Sequence, residues 1–332
     1  MPGEVRMKTA ILSRLRGTDG YISGQQLCEE LHVSRTAVWK IMEQLKAEGY
    51  QIEAVRNRGY HLEEAPDILS EAEIQSQLST RWAASRVLYF AETDSTNACA
   101  RKLGEEGAPH GTLVVSDRQT AGRGRRGRAW ESPAGANIYM SLLLRPEMTP
   151  AQAPMLTLVM ARSVAEAIRE MYGADALIKW PNDIVLKGKK VCGILTEMSA
   201  EMAWISYVVI GVGVNVNTGE FPGELARTAT SLCLESGRQE SRSRLIAEIL
   251  KRFERDYERF SQGGNLSFMQ DDYNRLLVNR DRDVRVLEPG REYEGRALGI
   301  SETGELLVLR EDGRREEVRS GEVSVRGIYG YV

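Results

Sequence analysis

The chain has 332 residues, a formal net charge of −3 and 42% hydrophobic residues. That length suits two or three domains. The apolar content excludes wholesale disorder, and the near-neutral charge excludes a polycation, so any nucleic-acid contact has to be local. The first residues hold no apolar signal core and no apolar run is long enough to span a bilayer, which predicts a cytoplasmic protein with no membrane partner. Cys28, Cys99, Cys192 and Cys233 are scattered, as are His32, His61 and His110. That spacing predicts reduced thiols and no metal site built from these residues.

In chain order, Ile11, Leu12 and Leu15 open an apolar helical stripe, and Leu27 and Leu31 sit four apart on a short second helix. Ser34 is placed to cap a third, which carries Val38, Ile41 and Leu45 on one face and Arg35, Thr36, Trp39 and Lys40 on the other. Two helices with a tight turn, the second led by polar donors, form the helix-turn-helix pattern. Asn57-Arg58-Gly59 then turns between two short extended runs, with Arg56 and Arg58 making a basic wing. A protein-interaction domain is the alternative, but the cations fall where phosphates would be touched. A single winged helix makes few contacts, so specific binding implies a dimer on a two-fold site.

Ala65-Pro66-Asp67 marks a boundary, and Ser70 with Glu73 reads as a capping box. A strand at 87–91 leads to Thr93-Asp-Ser-Thr-Asn97. These residues favour helix caps, but five in a row exceed what capping needs and favour the edge of a polar pocket. A strand at 111–115 enters the stretch 116–130, where Gly122, Gly124 and Gly127 alternate with Arg123, Arg125, Arg126 and Arg128. Glycine allows close backbone approach and arginine offers a planar fork of donors, so the stretch reads as a loop closing on an anion. It also spells G-x-G-x-x-G. A dinucleotide-binding turn must open a helix at once, however, and Pro133 and Gly135 follow instead. An RNA-binding arginine patch is a further alternative.

Strand 137–144 precedes a long helix started by Thr149, Pro150 and Gln152. A buried-looking strand at 176–180 ends at Pro181, Asn182 and Asp183, which are either a fixed pair of oxygens at a sheet edge or plain turn residues. Lys190 stands where a turn becomes a strand. Strand 208–217 contains Gly211 and Gly213, and glycine inside a strand marks close approach of a ligand or another backbone. A helix spans about 241–262. Short strands at 284–287, 292–300, 306–309 and 322–326, separated by Pro289-Gly290, Thr303-Gly304 and Asp312-Gly313, predict a small β-barrel. The expected architecture is multidomain α+β: a winged helix-turn-helix at 1–65, a central α+β domain with a mixed sheet at 66–279, and an SH3-like β-barrel at 280–332.

Gly122-Arg-Gly-Arg-Arg-Gly-Arg128 with Trp130, Lys179-Trp-Pro-Asn-Asp183 and Gly211-Val-Gly-Val-Asn-Val-Asn217, in this order, resemble the bifunctional biotin–protein ligase and biotin operon repressor family over nearly the whole chain. Ala129 stands where relatives often have lysine, and Val212 and Val214 where isoleucine is common. The resemblance implies that biotin and Mg-ATP form biotinyl-5′-AMP, and that biotin then passes to a lysine of a biotin carboxyl carrier protein. It implies a biotin pocket of Ser95, Thr96, Asn97, Gln119, Arg123, Gly124, Arg125 and Lys190. Lys190 and Arg123 would be catalytic, and Arg125, Trp130, Asn182, Asp183 and Asn215 would face the nucleotide. It also implies operator DNA as a partner of a homodimer. Two anions must meet in such a reaction, so fixed cations are needed and a side-chain nucleophile is not. A lipoate–protein ligase and a regulator that only senses a small acid are the rival readings.

Overall fold

The computed structural model describes residues 2–201, 204–288, 290–319 and 324–327. Their contacts divide the chain into two units: Met1–Ser79 with Ser241–Ala247, and Thr80–Glu240 with Glu248–Val332.

The first unit holds α1 (Pro2–Arg16), α2 (Gly24–Leu31), α3 (Arg35–Ala47), the hairpin β1 (Gln51–Val55) and β2 (Gly59–Glu64), and α4 (Glu71–Gln77). Each helix starts where a side chain satisfies free backbone donors. Ser23 caps α2 within a full capping box with Gln26, and Ser34 accepts from the Ala37 amide to cap α3. The apolar positions of the three-helix stripe are buried together, with Ile11, Leu12, Leu27, Ile41 and Leu45 fully covered. The wing turn brings Gly59 against Ile22: φ is +114° there, and a Cβ would lie 2.0 Å from the Ile22 carbonyl oxygen. Only glycine fits that position.

At α4 the expected capping box is only half made. Ser70 accepts from the Glu73 amide at 3.1 Å, but the Glu73 carboxylate does not turn back to the cap. It is 1% exposed and is claimed by Arg16 in two hydrogen bonds of 2.7 and 2.8 Å, by the Tyr50 hydroxyl and by Ser243. A buried carboxylate needs donors, and tertiary donors outbid the local one. Glu73→Gln keeps the volume and removes the charge. It is expected to lower the stability of this unit by about 1–3 kcal/mol in urea unfolding, and a change below about 0.5 kcal/mol would show that the cluster is not stabilising.

The second unit is built on a seven-stranded mixed sheet. Its members are β3 (Arg86–Phe90), β4 (Thr112–Ser116), β5 (Ile138–Leu144), β6 (Leu177–Lys179), β7 (Asp183–Leu186), β8 (Lys189–Glu201) and β9 (Trp204–Val214), in the order β3-β4-β5-β9-β8-β7-β6. Only β3 and β4 run parallel; every other pair is antiparallel. Helix α5 (Thr96–Glu105) packs on β4, β5 and β9 through Ala100, Val114, Leu143 and Val209. The predicted start of α6 (Ala153–Tyr172) holds: Thr149 and Gln152 form a reciprocal capping box around Pro150. The short α7 (Leu225–Thr228) and α8 (Leu232–Ser236) precede α9 (Arg242–Gly263) and α10 (Gln270–Leu276). Buried Arg162 of α6 pairs with fully buried Asp256 of α9 at 2.7 Å.

The C-terminal strands are β10 (Asp283–Glu288), β11 (Arg291–Ile300), β12 (Leu306–Leu309), β13 (Arg315–Val318) and β14 (Ser324–Gly327). They form an antiparallel sheet in the order β13-β12-β11-β10-β14. This is the small SH3-like β unit expected from the sequence; among the described residues it is not closed, with β13 and β14 at opposite edges and three strands between them. Of the strand expected at 322–326, Glu322 and Val323 lie outside the described residues.

His110 lies in the turn between α5 and β4. Its Nδ1 accepts from the Arg145 amide at 3.0 Å, and its ring lies 4.4 Å from Trp82 and 5.6 Å from Tyr257. Burial pulls its pKa below the ordinary histidine value, with the backbone hydrogen bond acting in the other direction. A depressed pKa means that the neutral ring is favoured in the fold. Its stabilisation is complete above the unfolded value of about 6.5 and is lost as pH falls below it. Thermal melting should therefore weaken from pH 7.5 to 5.5, and His110→Asn, which keeps an acceptor but cannot titrate, should flatten part of that slope. An unchanged slope in the variant would exclude His110 as a source.

Candidate active site

Strand β4 delivers the chain into the glycine-arginine stretch, which forms a small hairpin. Trp130 donates its amide to Gly122 at 2.9 Å, Gly124 donates to Arg128 at 2.7 Å, and Arg123 bridges Ala129. At the tip, Arg125–Gly127 make one 3-10 turn with Arg126 at φ +58° and Gly127 at φ +69°. The next element is strand β5 and no helix follows, in keeping with the rejection of a dinucleotide-binding turn.

This hairpin covers a small cleft of about 50 Å³. Ser95, Thr96, Asn97, Gln119, Arg123, Gly124, Arg125, Trp130, Asn182 and Lys190 all line it, although they come from segments up to 95 residues apart (Ser95 to Lys190). Ser95 is the N-cap residue of α5, yet its side chain makes no capping bond; its amide takes the Asp94 carboxylate instead. The hydroxyls here are thus not spent on the helix end. Thr96 donates its amide to the Gln119 Oε1 at 2.8 Å, and Gln119 Nε2 donates to Ser132 at 3.0 Å, which fixes the amide's orientation. Ser141 reaches both Thr96 Oγ1 and Asn97 Oδ1, at 2.8 and 2.6 Å.

The opposite wall is a floor of glycines. Gly193 of β8 and Gly213 of β9 are direct cross-strand partners. A Cβ on Gly213 would lie 2.7 Å from the Trp130 indole, and one on Gly193 would lie 3.0 Å from both Trp130 and the Lys190 side chain. The indole therefore lies where two side chains are missing. Its Nε1 is buried with no hydrogen-bond partner among the described residues. Lys190 Nζ stands 5.2 Å from the indole centroid and 2.7 Å from Asp183 Oδ1. Arg125 turns inward and donates to Asn182 Oδ1 at 3.0 Å. Burial lowers its pKa from the usual guanidinium range while Asp183 acts to raise it.

Asp183 joins the cleft through Lys190. Asn215 is placed apart: its amide donates to the Thr230 carbonyl at 3.1 Å and its backbone ties the segment at 230–232 to β9. Tyr139 and Gly193 line the cleft, and Ser132 holds Gln119 from behind it; none was singled out from the sequence. Gly193 carried a usable signal, a glycine inside a strand. Cys192 is fully buried, and burial pushes its thiol well above the ordinary range, so it serves packing.

In the first unit, Arg35, Thr36, Trp39, Lys40, Arg56 and Arg58 are all exposed, with Trp39 58% accessible. Arg35, Arg56 and Arg58 line one groove between α2, α3 and the wing. Arg35 is held by Gln25 at 2.7 Å and Arg58 lies over the Tyr21 ring at 4.1 Å.

Fold and site together define a ligase domain accompanied by a helix-turn-helix module. Residues 89–215 match the Biotin/lipoate A/B protein ligase family, residues 8–61 the HTH domain, and residues 281–326 the Biotin protein ligase C terminal domain. The chain is 43% identical over 297 residues to the bifunctional ligase/repressor BirA of Bacillus subtilis, covering 88% of this chain and 90% of that protein. It is 33% identical over 306 residues to the protein of the same name in Escherichia coli, covering 92% of each. The structure of a biotin protein ligase from Aquifex aeolicus in complex with biotin and ATP aligns with a TM-score of 0.64 at 34% identity, over 73% of this chain and 99% of that one. The chain belongs to the biotin protein ligase family, in its bifunctional ligase/repressor form.

Proposed function

We infer that this chain activates biotin with ATP to biotinyl-5′-AMP and transfers biotin to a specific lysine of a biotin carboxyl carrier protein. It is also a biotin-responsive repressor that binds operator DNA through its helix-turn-helix unit. The observation that carries the enzymatic reading is the convergence of Lys190, Arg123 and Arg125 on one cleft beside a flat indole.

In the first step a biotin carboxylate oxygen attacks the α-phosphorus, and the bond to the β-phosphate oxygen breaks to release pyrophosphate. In the second step the acceptor amine attacks the acyl carbon and AMP leaves, giving an amide. We propose that Lys190 and Arg123 bring the carboxylate and the α-phosphate together and stabilise the charge that builds on the phosphorane. Arg125, Trp130, Asn182 and Asp183 serve the nucleotide side; Asn215 acts there indirectly, by holding the segment at 230–232. The polar side chains at 95–97 and Gln119 take the ring system of biotin.

Among the described residues no cluster of three His, Cys, Asp or Glu is placed to hold a metal. Asp183 is the carboxylate beside the cleft that would hold Mg²⁺, an oxygen donor of the kind this ion takes. When bound with ATP, the ion would supply screening of the triphosphate charge.

We further propose that the protein acts on a two-fold operator as a homodimer and that it is cytoplasmic. All four cysteines are unpaired, in keeping with a reducing compartment. No described helix is long and apolar enough to cross a membrane.

Incubation with biotin, Mg-ATP and a carrier domain, read by intact mass, tests the enzyme: one biotin per carrier is expected, and an unmodified carrier refutes the reading. For the repressor half, Arg56→Ala with Arg58→Ala should weaken operator binding and reduce its log–log salt slope by about 0.9 per lost phosphate contact. A slope equal to wild type would remove the wing from the DNA interface.

A further inference from the structure

Resting on the biotin reading above, we propose that Glu197 is a positioning residue for biotin: through Asn97 and Ser141 it orients the polar floor of the pocket, leaving the Thr96 hydroxyl oxygen as an acceptor for a ring N–H of the substrate. Glu197 does not line the cleft itself. It stands on β8, and its Oε2 accepts from Asn97 Nδ2 at 2.7 Å while its Oε1 takes Arg101 at 3.1 Å.

The geometry beneath Asn97 is a row across three strands, Leu195–Gly211–Ser141, each paired with the next. The Asn97 amide lies over the middle of that row. A Cβ on Gly211 would come within 2.1 Å of its Oδ1, so glycine is what admits the amide. On one side Nδ2 faces two acceptors, the Leu195 carbonyl at 3.3 Å and Glu197. On the other side Oδ1 faces the Ser141 hydroxyl at 2.6 Å. A carboxylate only accepts, so a flipped amide would set oxygen against oxygen. Glu197 therefore fixes the amide with its oxygen towards Ser141.

Counting protons carries this polarity into the pocket. Three contacts join the hydroxyls: Ser141 to Asn97 at 2.6 Å, Ser141 to Thr96 at 2.8 Å and Thr96 to Gln119 at 3.1 Å. Only two hydroxyl protons are present. Thr96 gives its proton to Gln119 Oε1, and the Ser141 proton, drawn by the fixed Asn97 Oδ1, is shared with Thr96 Oγ1. Gln119 Oε1 also accepts from the Thr96 amide. The Thr96 oxygen, accepting from Ser141 and donating to Gln119, then keeps one lone pair and has no proton to offer, which suits a cyclic-urea N–H and disfavours a carbonyl at the same place.

The test is steady-state ATP–pyrophosphate exchange on the full chain with biotin and ATP varied separately. Glu197→Leu should raise the biotin KM about 10-fold, with the ATP KM and kcat within about 2-fold, the loss of one charge-assisted hydrogen bond. Glu197→Gln, whose carbonyl still accepts from Asn97, should restore the biotin KM to within about 2-fold of wild type. Ser141→Ala breaks the next link and should give the same selective rise, and the double variant should be no worse than either single one. Arg101→Ala removes the other partner of Glu197 and should leave the biotin KM unchanged. An unchanged biotin KM in whichever of Glu197→Leu and Ser141→Ala is folded, or an equal rise in the ATP KM, overturns the proposal. Absence of biotin-dependent exchange in the wild type would instead sink the functional reading beneath it.

Discussion

Lys190→Ala lowers the rate of biotinyl-5′-AMP formation by about 10²–10³-fold, the effect of removing one preorganised charge from a developing phosphorane. Among the described residues Lys190 is the one lysine lining the cleft, and its ammonium is held at 2.7 Å by Asp183 and at 5.2 Å from the Trp130 ring. That ion pair fixes the side chain before any substrate arrives, so the charge need not be recruited during the reaction. Arginine at this position keeps the charge but replaces a compact donor by a planar fork, so Lys190→Arg should recover only part of the rate. Single-turnover formation of the adenylate measures the effect directly. A loss smaller than about 5-fold would move the catalytic charge to the hairpin arginines.

Gly213→Ala is expected to lower adenylate formation by about 10–100-fold while leaving the fold intact, because overpacking by one methyl in a filled site typically costs 1–3 kcal/mol. The added Cβ would lie 2.7 Å from the indole of Trp130, and the strand beneath it is fixed by pairing on both sides, to Tyr139 and to Gly193. The ring is the part that has to move, and the hairpin that carries it moves too. The same substitution in a Trp130→Ala background should cost little more than Trp130→Ala alone, since the clash is then gone. Additive losses in that double variant would show that Gly213 matters for the strand and not for the indole.

Several features were legible in the sequence because they are local. Ser34 at the start of α3 and the Thr149–Gln152 box at α6 each satisfy backbone donors within three residues, and both form as expected. Gly211 and Gly213 advertised a close approach from within one strand, although the sequence did not say what approaches. The charged strand β13, Arg-Glu-Glu-Val, has no apolar alternation and carried no strand signal; only its pairing with β12 makes it one. In the C-terminal sheet likewise, turns between strands do not state which edges meet; pairing sets the order β13-β12-β11-β10-β14.

What the amino-acid order determined by itself was the inventory: the caps and turns, and the motif that supplies Arg123 and Arg125 to the cleft. The tertiary structure alone decided the pairings that give those groups their roles. Glu73 could have closed its own helix end but is taken by Arg16 and Tyr50; Gly193 meets Gly213 across a strand pair; and Glu197 sets the Asn97 amide from a different element. The physical reason is range. Backbone capping and turn preferences act over three or four residues, whereas buried charges and cross-strand neighbours are satisfied by whatever the packed core brings within hydrogen-bonding distance.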